Sequence, residues 1–246
     1  MESGMILSVG MPRAGSGWFY NLTHDIVCAA GGSDARRIRK KYHLTGLLTE
    51  VNCNLGTLSF HRLMPTLIPL FFEDSYVIKL HAGRRAVADL LTRVNIIIPT
   101  FIYRDPRDAL LSAYEYGKRM RERGLTNAFT HLTSLEAAIE FMGDYVKYAE
   151  EWLKIEGLYH VRYEDLLSDY SNQVNLLCDY LDINRADKKI KEILAEYQPG
   201  QGENDQKGLH FVKGKIGRHK RHLSEDQMKL CEDKFGRFME SQGYLG

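Results

Sequence analysis

Short apolar runs rich in β-branched residues alternate along this chain with longer segments in which apolar residues recur every three or four positions. The short runs predict four strands, at residues 5–10, 76–81, 96–103 and 158–163. Because these runs are apolar almost throughout, we expect the strands to be buried on both faces. Strands that alternate with helices are typical of an α/β fold with a central parallel sheet flanked by helices.

The longer segments predict five helices, and the third of them has the clearest pattern. It follows Ser134, a residue type that favours the N-cap position. Aromatic residues recur within it at three- and four-residue spacing, and we interpret this stripe as the core-facing side of the helix: Phe141, Tyr145, Tyr148 and Trp152. The five predicted helices span residues 16–30, 105–123, 135–155, 170–181 and 225–242.

The composition fits one soluble domain over residues 1–246, since 246 residues with 44% hydrophobic content can bury a substantial core. The 33 basic and 32 acidic residues give a net charge of +1, so no global field favours nucleic acid or a membrane surface, and any basic site must be local. No apolar run approaches the ~20 residues of a membrane span, and no leader segment precedes the first strand. These features predict a cytoplasmic protein.

Four cysteines lie far apart and form no Cys-x-x-Cys pair: Cys28, Cys53, Cys178 and Cys231. This spacing argues against a zinc site and against a disulfide framework, so we expect reduced thiols and no bound metal. The one shift in composition covers residues 198–222, where Pro199, several glycines and many charged residues predict a long loop.

The first predicted strand ends in a loop of small residues, 12–17, and a predicted helix follows at once. Consecutive backbone N–H groups at such a helix start, together with the helix dipole, favour a phosphate or a sulfate. The loop is P-loop-like, but it lacks the lysine of the Walker A pattern Gly-x-x-x-x-Gly-Lys-(Ser/Thr), because no lysine follows Gly15 or Gly17. The sequence therefore predicts an anion site without the usual nucleoside triphosphate signature.

A second candidate site follows the third predicted strand, where another helix begins. Asp105 suits the N-cap position and Pro106 the first helical position, and we expect Asp105, Arg107 and Asp108 to form a solvated charge cluster. Arg104 lies beside this helix start, at the same sheet edge as the first loop, and suits bidentate capture of a phosphate monoester. Two anion sites at one edge imply a ligand with two separated phosphate-like groups.

These segments resemble motifs of the sulfotransferases that use 3′-phosphoadenosine 5′-phosphosulfate (PAPS). Residues 12–18 resemble the Pro-(Lys/Arg)-(Ser/Ala)-Gly-Thr-Thr-Trp loop of that family, and residues 102–112 resemble its 3′-phosphate motif. Residues 79–81 resemble its Lys-x-His, residues 161–166 its Tyr-Glu-Asp-Leu segment, and residues 212–220 its glycine-containing basic lid. The resemblance runs in order from about residue 5 to residue 224, nearly the whole chain.

The resemblance implies a role for each matching residue. His81 becomes the general base, which suits an imidazole whose unperturbed pKa of ~6.5 lies near neutrality. Arg13 would stabilise charge on the leaving phosphate oxygen, and Lys79 would reach the transferring group. The cofactor contacts that the resemblance implies are Arg13, Ala14, Gly15, Ser16, Gly17, Trp18, Arg104, Ser112, Tyr163, Lys213 and Gly214.

This sequence also departs from the family pattern. Gly17 replaces a threonine, which removes a hydroxyl donor from the loop. Val212 takes the place of an arginine that would contact the 3′-phosphate, and Lys215 or Arg218 could compensate. His219 replaces a tryptophan of the lid, and we assign it no role.

The resemblance implies a PAPS-dependent sulfotransferase that acts on a hydroxyl or amine of a small molecule, releases adenosine 3′,5′-bisphosphate (PAP) and needs no metal. Two alternatives stay open: a P-loop-type nucleotide kinase, and a non-catalytic nucleotide-binding module in which His81 is structural. We expect the acceptor pocket to come from residues 42–69, 81–87 and 114–129. Some members of the family form dimers, so the resemblance is compatible with a homodimer.

Overall fold

The computed structural model describes residues 4–200 and 215–245. Four strands form one parallel sheet in the order β2-β1-β3-β4. Every residue of the two strands β1 and β2 is buried, as expected for a parallel sheet covered on both faces. The four predicted strands and the α/β class are confirmed, with these bounds: β1 Met5–Gly10, β2 Tyr76–Leu80, β3 Ile97–Tyr103 and β4 Tyr159–Arg162.

The five predicted helices are also confirmed, with ends that shift by no more than about one turn. Asp105 caps the second of them by accepting from the Arg107 N–H at 2.9 Å, and Ser134 caps the third by accepting from the Ala137 N–H at 3.1 Å. The α-helices are α1 Ser16–Ala29, α2 Ala35–Lys41, α3 Phe60–Leu67, α4 Ala86–Arg93, α5 Pro106–Glu122, α6 Leu135–Trp152, α7 Tyr163–Ser168, α8 Tyr170–Tyr180, α9 Lys188–Glu196, α10 His219–His222 and α11 Glu225–Ser241.

The helices that the sequence did not predict are short, and short helices carry little periodic signal. Five of the seven residues of α2 are basic, and α3 contains Pro65 in its interior, a residue type that argues against a helix at that position. Two 3₁₀ helices complete the described structure, Leu44–Gly46 and Ile68–Phe71. Packing against the rest of the domain, rather than intrinsic propensity, accounts for these elements.

The parallel arrangement brings the carboxyl ends of all four strands to one edge of the sheet. β1 leads through a short loop into α1, β3 leads into α5, and β4 leads directly into α7. The chain thus turns from strand to helix at three neighbouring points of this edge, where such folds bind ligands. Within the described residues no helix has the length and apolar content needed to cross a bilayer, and all four cysteines there are free thiols.

Candidate active site

A cavity of about 470 Å³ lies at this edge of the sheet. Two of the predicted site residues, Lys213 and Gly214, lie outside the described residues, as does most of the predicted loop 198–222. Ala14 is fully buried in the core and does not line the cavity. The other predicted site residues all line it: Arg13, Gly15, Ser16, Gly17, Trp18, Lys79, His81, Arg104, Ser112 and Tyr163.

The loop between β1 and α1 places an uncapped helix start at the cavity. Gly15 is the N-cap residue of α1, with a left-handed φ of 74° and no side-chain cap. A Cβ at this position would lie 2.6 Å from the Tyr163 ring, so both the backbone angle and the close packing require glycine. The first N–H groups of α1 have no intrahelical acceptor, and the first turn contains no acid, which leaves the helix start suited to an anion.

Arg13 is part of a group of cations at the same side of the cavity. Its Nε donates to Ser112 Oγ at 3.2 Å, and its guanidinium lies 4.7 Å from the centre of the Tyr116 ring. Burial lowers the pKa of Arg13, and the positive charges of Arg119 and Arg104 lower it further. An arginine nevertheless stays protonated at neutral pH, so these charges repel one another and an anion would relieve that repulsion.

Arg104 makes several contacts at the cavity, but its Nε is buried without a hydrogen-bond partner. One terminal nitrogen donates to the Lys215 carbonyl at 2.8 Å and to Asp108 Oδ2 at 3.3 Å, while the guanidinium covers the Tyr163 ring at 4.5 Å. Its Nε lies 3.9 Å from Glu164 Oε1. The Arg104 side chain lines the cavity, so its positive charge would attract an anion bound there.

The expectation of a solvated charge cluster at the start of α5 is wrong. Asp105, Arg107 and Asp108 are only 5%, 6% and 2% exposed. Gly217 and His219 cover Asp108, and Arg107 donates to the Tyr244 carbonyl at 2.8 Å. Arg107 forms a two-point contact with Asp105, at 3.0 and 2.8 Å. Asp108 accepts from the backbone N–H groups of Gly217 at 2.7 Å and His219 at 2.9 Å, and from His219 Nδ1 at 3.0 Å.

Asp108 therefore joins the first turn of α5 to the chain that follows residue 214. Burial alone would raise the pKa of its carboxyl, but the hydrogen bonds from His219 and the nearby Arg104 guanidinium lower it to about 2. His219, to which the sequence assigned no role, is 2% exposed and is half of this contact. Of the two candidate substitutes for the missing arginine, Arg218 is paired with Glu115 at 2.5 and 3.0 Å, and both Lys215 and Arg218 line the cavity.

Lys79 and His81 reach the cavity from β2 and the residue that follows it. Burial and the charge of Arg13 lower the pKa of Lys79 to about 7. His81 Nδ1 lies 2.6 Å from the Gly10 carbonyl oxygen, which can only accept, so Nδ1 carries a hydrogen and Nε2 of the neutral ring has a lone pair. Burial and the charge of Lys79 lower the pKa of His81 to about 3, which keeps the ring neutral.

Trp18 and Tyr163 form an aromatic wall of the cavity. Trp18 is 6% exposed, donates through Nε1 to the Tyr197 carbonyl at 3.1 Å and stacks on Tyr170 with ring centres 6.1 Å apart. Its ring meets the Tyr163 ring edge-on at 6.4 Å. Packing thus fixes both rings while each still lines the cavity.

The cavity also contains residues that the sequence did not single out. The aromatic stripe of α6 is only partly core: Trp152 is 1% exposed, whereas Phe141 and Tyr145 line the cavity. Asn52 lines it too, and its Oδ1 is buried without a hydrogen-bond partner. The other unpredicted lining residues include Asn54, Gly56, Glu115, Tyr116, Arg119, Ala128 and Phe129, which fall in the segments 42–69 and 114–129 but follow no motif.

Comparisons with known proteins agree with this architecture. The family profile described as Sulfotransferase domain matches residues 4–243. Sulfotransferase 6B1 of Danio rerio is 22% identical over 250 residues, which cover 95% of this chain and 77% of that protein.

Solved structures share the fold at low sequence identity. Mouse sulfotransferase SULT7A1 complexed with PAP superposes with a TM-score of 0.62 at 14% identity, covering 97% of this chain and 86% of its own. Retinol dehydratase in complex with androsterone and the inactive cofactor PAP gives a TM-score of 0.60 at 17% identity, covering 96% and 80%. The family match extends over nearly the whole chain, and we conclude that this protein is a member of the sulfotransferase family.

Proposed function

We propose that the protein transfers the sulfuryl group of PAPS to a hydroxyl or amine of a small molecule and releases PAP. Family membership supports the reaction type, and two proteins of the same fold were solved with PAP. The observation that carries the proposal is one cavity that combines an uncapped helix start with six basic side chains: Arg13, Lys79, Arg104, Arg119, Lys215 and Arg218. Such a cavity suits a ligand with two anionic groups.

The residues present fit PAPS in both size and charge. A volume of about 470 Å³ is within the usual range for small-ligand sites. The start of α1 and Arg13 would hold the 5′-phosphosulfate, and Arg104 with Ser112 would hold the 3′-phosphate. Trp18 and Tyr163 offer aromatic surface for the adenine. PAPS supplies the sulfuryl group, and the protein supplies position and charge.

His81 is the proposed general base. Its Nε2 would accept the proton of the acceptor hydroxyl or amine as the acceptor atom bonds to sulfur and the bond between sulfur and the phosphate oxygen breaks. Arg13 and Lys79 would then stabilise the negative charge that collects on that phosphate oxygen. A neutral imidazole with Nδ1 already bonded to Gly10 is in the correct tautomer for this task.

The aromatic part of the cavity lining favours an acceptor with an apolar or aromatic body. Phe129, Phe141 and Tyr145 form it, with Asn52 and Asn54 as the nearby amides. Retinol dehydratase, which shares this fold, was solved with androsterone and with retinol. We infer an acceptor of that general character, a small apolar molecule with one nucleophilic hydroxyl or amine.

Binding and transfer experiments test this function in two steps. Titration calorimetry with PAP and with ATP should give clear PAP binding and much weaker ATP binding. Transfer of labelled sulfate from PAPS to a panel of apolar alcohols and amines should then reveal the acceptor. Family membership decides against the nucleotide kinase alternative, whereas binding of PAP without transfer to any acceptor would support the non-catalytic module.

The His81→Ala variant tests the proposed base separately from PAP binding. We expect this variant to bind PAP as tightly as the wild type and to lose at least about 100-fold in kcat, the usual contribution of a positioned base. His160→Ala is the matched control, because His160 is an exposed histidine on β4 outside the cavity. Full transfer activity in His81→Ala would contradict the proposed base.

A further inference from the structure

The helical segment formed by α3 and the 3₁₀ helix after it presents an apolar face to solvent. Exposed apolar residues recur about every four positions, and the last two are adjacent. Their exposed fractions are 59% for Phe60, 36% for Met64, 51% for Ile68, 82% for Phe71 and 74% for Phe72. A surface helix normally exposes polar and charged residues, so a contiguous apolar face of this kind marks an interaction surface.

The one charged side chain of residues 60–72 is turned away from this face. Arg62 donates through Nε to the Leu55 carbonyl at 3.0 Å and through a terminal nitrogen to the Leu47 carbonyl at 2.7 Å. Those contacts join α3 to the chain beside Asn54 and Gly56, which line the cavity. The apolar face is therefore free of formal charge and lies on a segment that also supports the cavity wall.

A basic helix adjoins the aromatic end of this face. Tyr42 follows α2 directly and stacks on Phe72 with ring centres 6.5 Å apart, and Lys41 Nζ lies 5.3 Å from the Tyr42 ring. Five of the seven residues of α2 are cationic: Arg36, Arg37, Arg39, Lys40 and Lys41.

The five cations outnumber by one the acids near α2, which are Asp25, Asp34, Glu73 and Asp74. Glu73 is shared by Arg37 at 2.7 Å and Lys41 at 2.5 Å, and Asp74 is exposed beside it. Arg39 donates to the carbonyls of Leu48 and Thr45, which carry no formal charge. The surface thus combines exposed aromatic side chains with an adjoining excess of positive charge.

We propose that this surface, Phe60 to Phe72 together with α2, binds an anionic lipid bilayer. Phe71 and Phe72 enter the boundary between headgroups and acyl chains, and the exposed cations of α2, Arg37, Lys40 and Lys41, meet the headgroup phosphates. Aromatic rings beside lysine and arginine are typical of side chains at a membrane–water interface. A second copy of the chain is the less suitable occupant, because a symmetric contact would bring the two basic helices near each other. The near-zero net charge predicts no global attraction to membranes, and this basic site is local.

Vesicle co-sedimentation of the full chain tests the proposal without PAPS or an acceptor, so the outcome does not depend on the proposed function. We expect binding to phosphatidylcholine vesicles that contain phosphatidylglycerol, and little binding to phosphatidylcholine alone or at high salt. The double variant Phe71→Ser, Phe72→Ser should bind at least about tenfold more weakly. Lys40→Ala should bind about fivefold more weakly, since each lysine or arginine near such a surface strengthens binding by about that factor.

Leu90→Ser is the matched control, because Leu90 is a 61% exposed apolar residue on α4. It should bind vesicles as the wild type does, and circular dichroism should show that all three variants fold. No preference for phosphatidylglycerol, or an equal loss in Leu90→Ser, would overturn the proposal. A wild-type dimer in sedimentation equilibrium that becomes a monomer in the double phenylalanine variant would also overturn it, because a second copy would then occupy the surface.

Discussion

His81 Nδ1 lies 2.6 Å from the carbonyl oxygen of Gly10, so the last residue of β1 fixes the ring that follows β2. These two strands are paired in the sheet, with Val9 opposite Leu80. The orientation and tautomer of the proposed base are therefore set by the sheet itself. A site built on paired strands is held more rigidly than one built on loops.

The pH dependence of transfer should reflect this buried, neutral imidazole. Burial and the charge of Lys79 lower the pKa of His81 to about 3. Above that pH the ring is neutral, and its Nε2 lone pair is available to take a proton from the acceptor. With saturating PAPS, we expect kcat/KM for the acceptor to show no acidic fall above about pH 5, even after the bound anion raises this pKa. A fall with a midpoint near the ordinary histidine pKa of ~6.5 would contradict the assignment.

Lys79 should take up a proton when PAP binds. Its pKa is lowered to about 7 in the free protein, so the amine is mostly uncharged at pH 8. A nearby phosphate favours the charged form and raises that pKa, which predicts uptake of up to about one proton per PAP bound at pH 8. Calorimetric titrations in two buffers of different ionisation enthalpy measure this number.

Two variants test whether Lys79 is the group that takes up this proton. Lys79→Met should abolish the uptake, and Lys147→Met, which removes an exposed lysine of α6, should leave it unchanged. PAP binding by the wild type with no buffer dependence would contradict a lowered pKa for Lys79.

The features that the sequence predicted correctly are those determined by residues close together in the chain. Strand β1, the loop after it and the N-cap Asp105 follow from residues that are neighbours in the chain, and all are present. The contact of Asp108 with His219 joins residues 111 positions apart, and no local pattern contains it.

For the same reason, local patterns indicated segments of the proposed acceptor pocket but not its individual residues. Asn52 reaches the cavity because residue 54 pairs with Lys79 at the edge of the sheet, a contact across 25 positions. Phe141 belongs to the aromatic stripe of α6. The spacing of that stripe predicts which side of the helix is apolar, but not that part of this side lines a cavity. A periodic pattern identifies an apolar side, and only the fold decides whether a core or a cavity lies against it.

Asp108→Asn should destabilise the protein in a pH-dependent way. The carboxyl pKa falls from 3.8 to about 2 in the fold, which corresponds to about 2 kcal/mol of stability. Because the folded-state pKa is lowered, this contribution is present above about pH 4 and is lost as the pH falls through 2. Urea unfolding at pH 7 and pH 3 should show a difference between variant and wild type that narrows at the lower pH.

Asp144→Asn is the control for that measurement, since Asp144 is an exposed carboxyl of α6. We expect a change within about 0.5 kcal/mol for this control. Equal destabilisation of Asp108→Asn at both pH values would show that packing, and not the carboxyl charge, holds the chain after residue 214 against α5.

Gly15→Ala should damage the anion loop by two effects at once. The backbone φ of 74° costs about 1 kcal/mol for a residue with a Cβ, and that Cβ would lie 2.6 Å from the Tyr163 ring. Gly124→Ala separates these effects, because Gly124 has a φ of 67° but no atom within 4 Å of its added Cβ. We expect both variants to lose stability, and only Gly15→Ala to lose PAP affinity in calorimetry. Equal PAP affinity in both variants would contradict the role of this loop.

Asn52→Ala should weaken acceptor use without weakening the fold. Its Oδ1 is buried and has no partner, and removing an unsatisfied acceptor is neutral or stabilising. If that oxygen receives a hydrogen bond from the acceptor, its removal raises KM for the acceptor about tenfold and leaves the Kd for PAP unchanged. Thr100→Val is the control, since Thr100 Oγ1 is also buried without a partner but lies outside the cavity. Both variants should match or exceed the wild-type Tm, and a lower Tm with an unchanged KM in Asn52→Ala would assign Asn52 to the fold rather than to the acceptor.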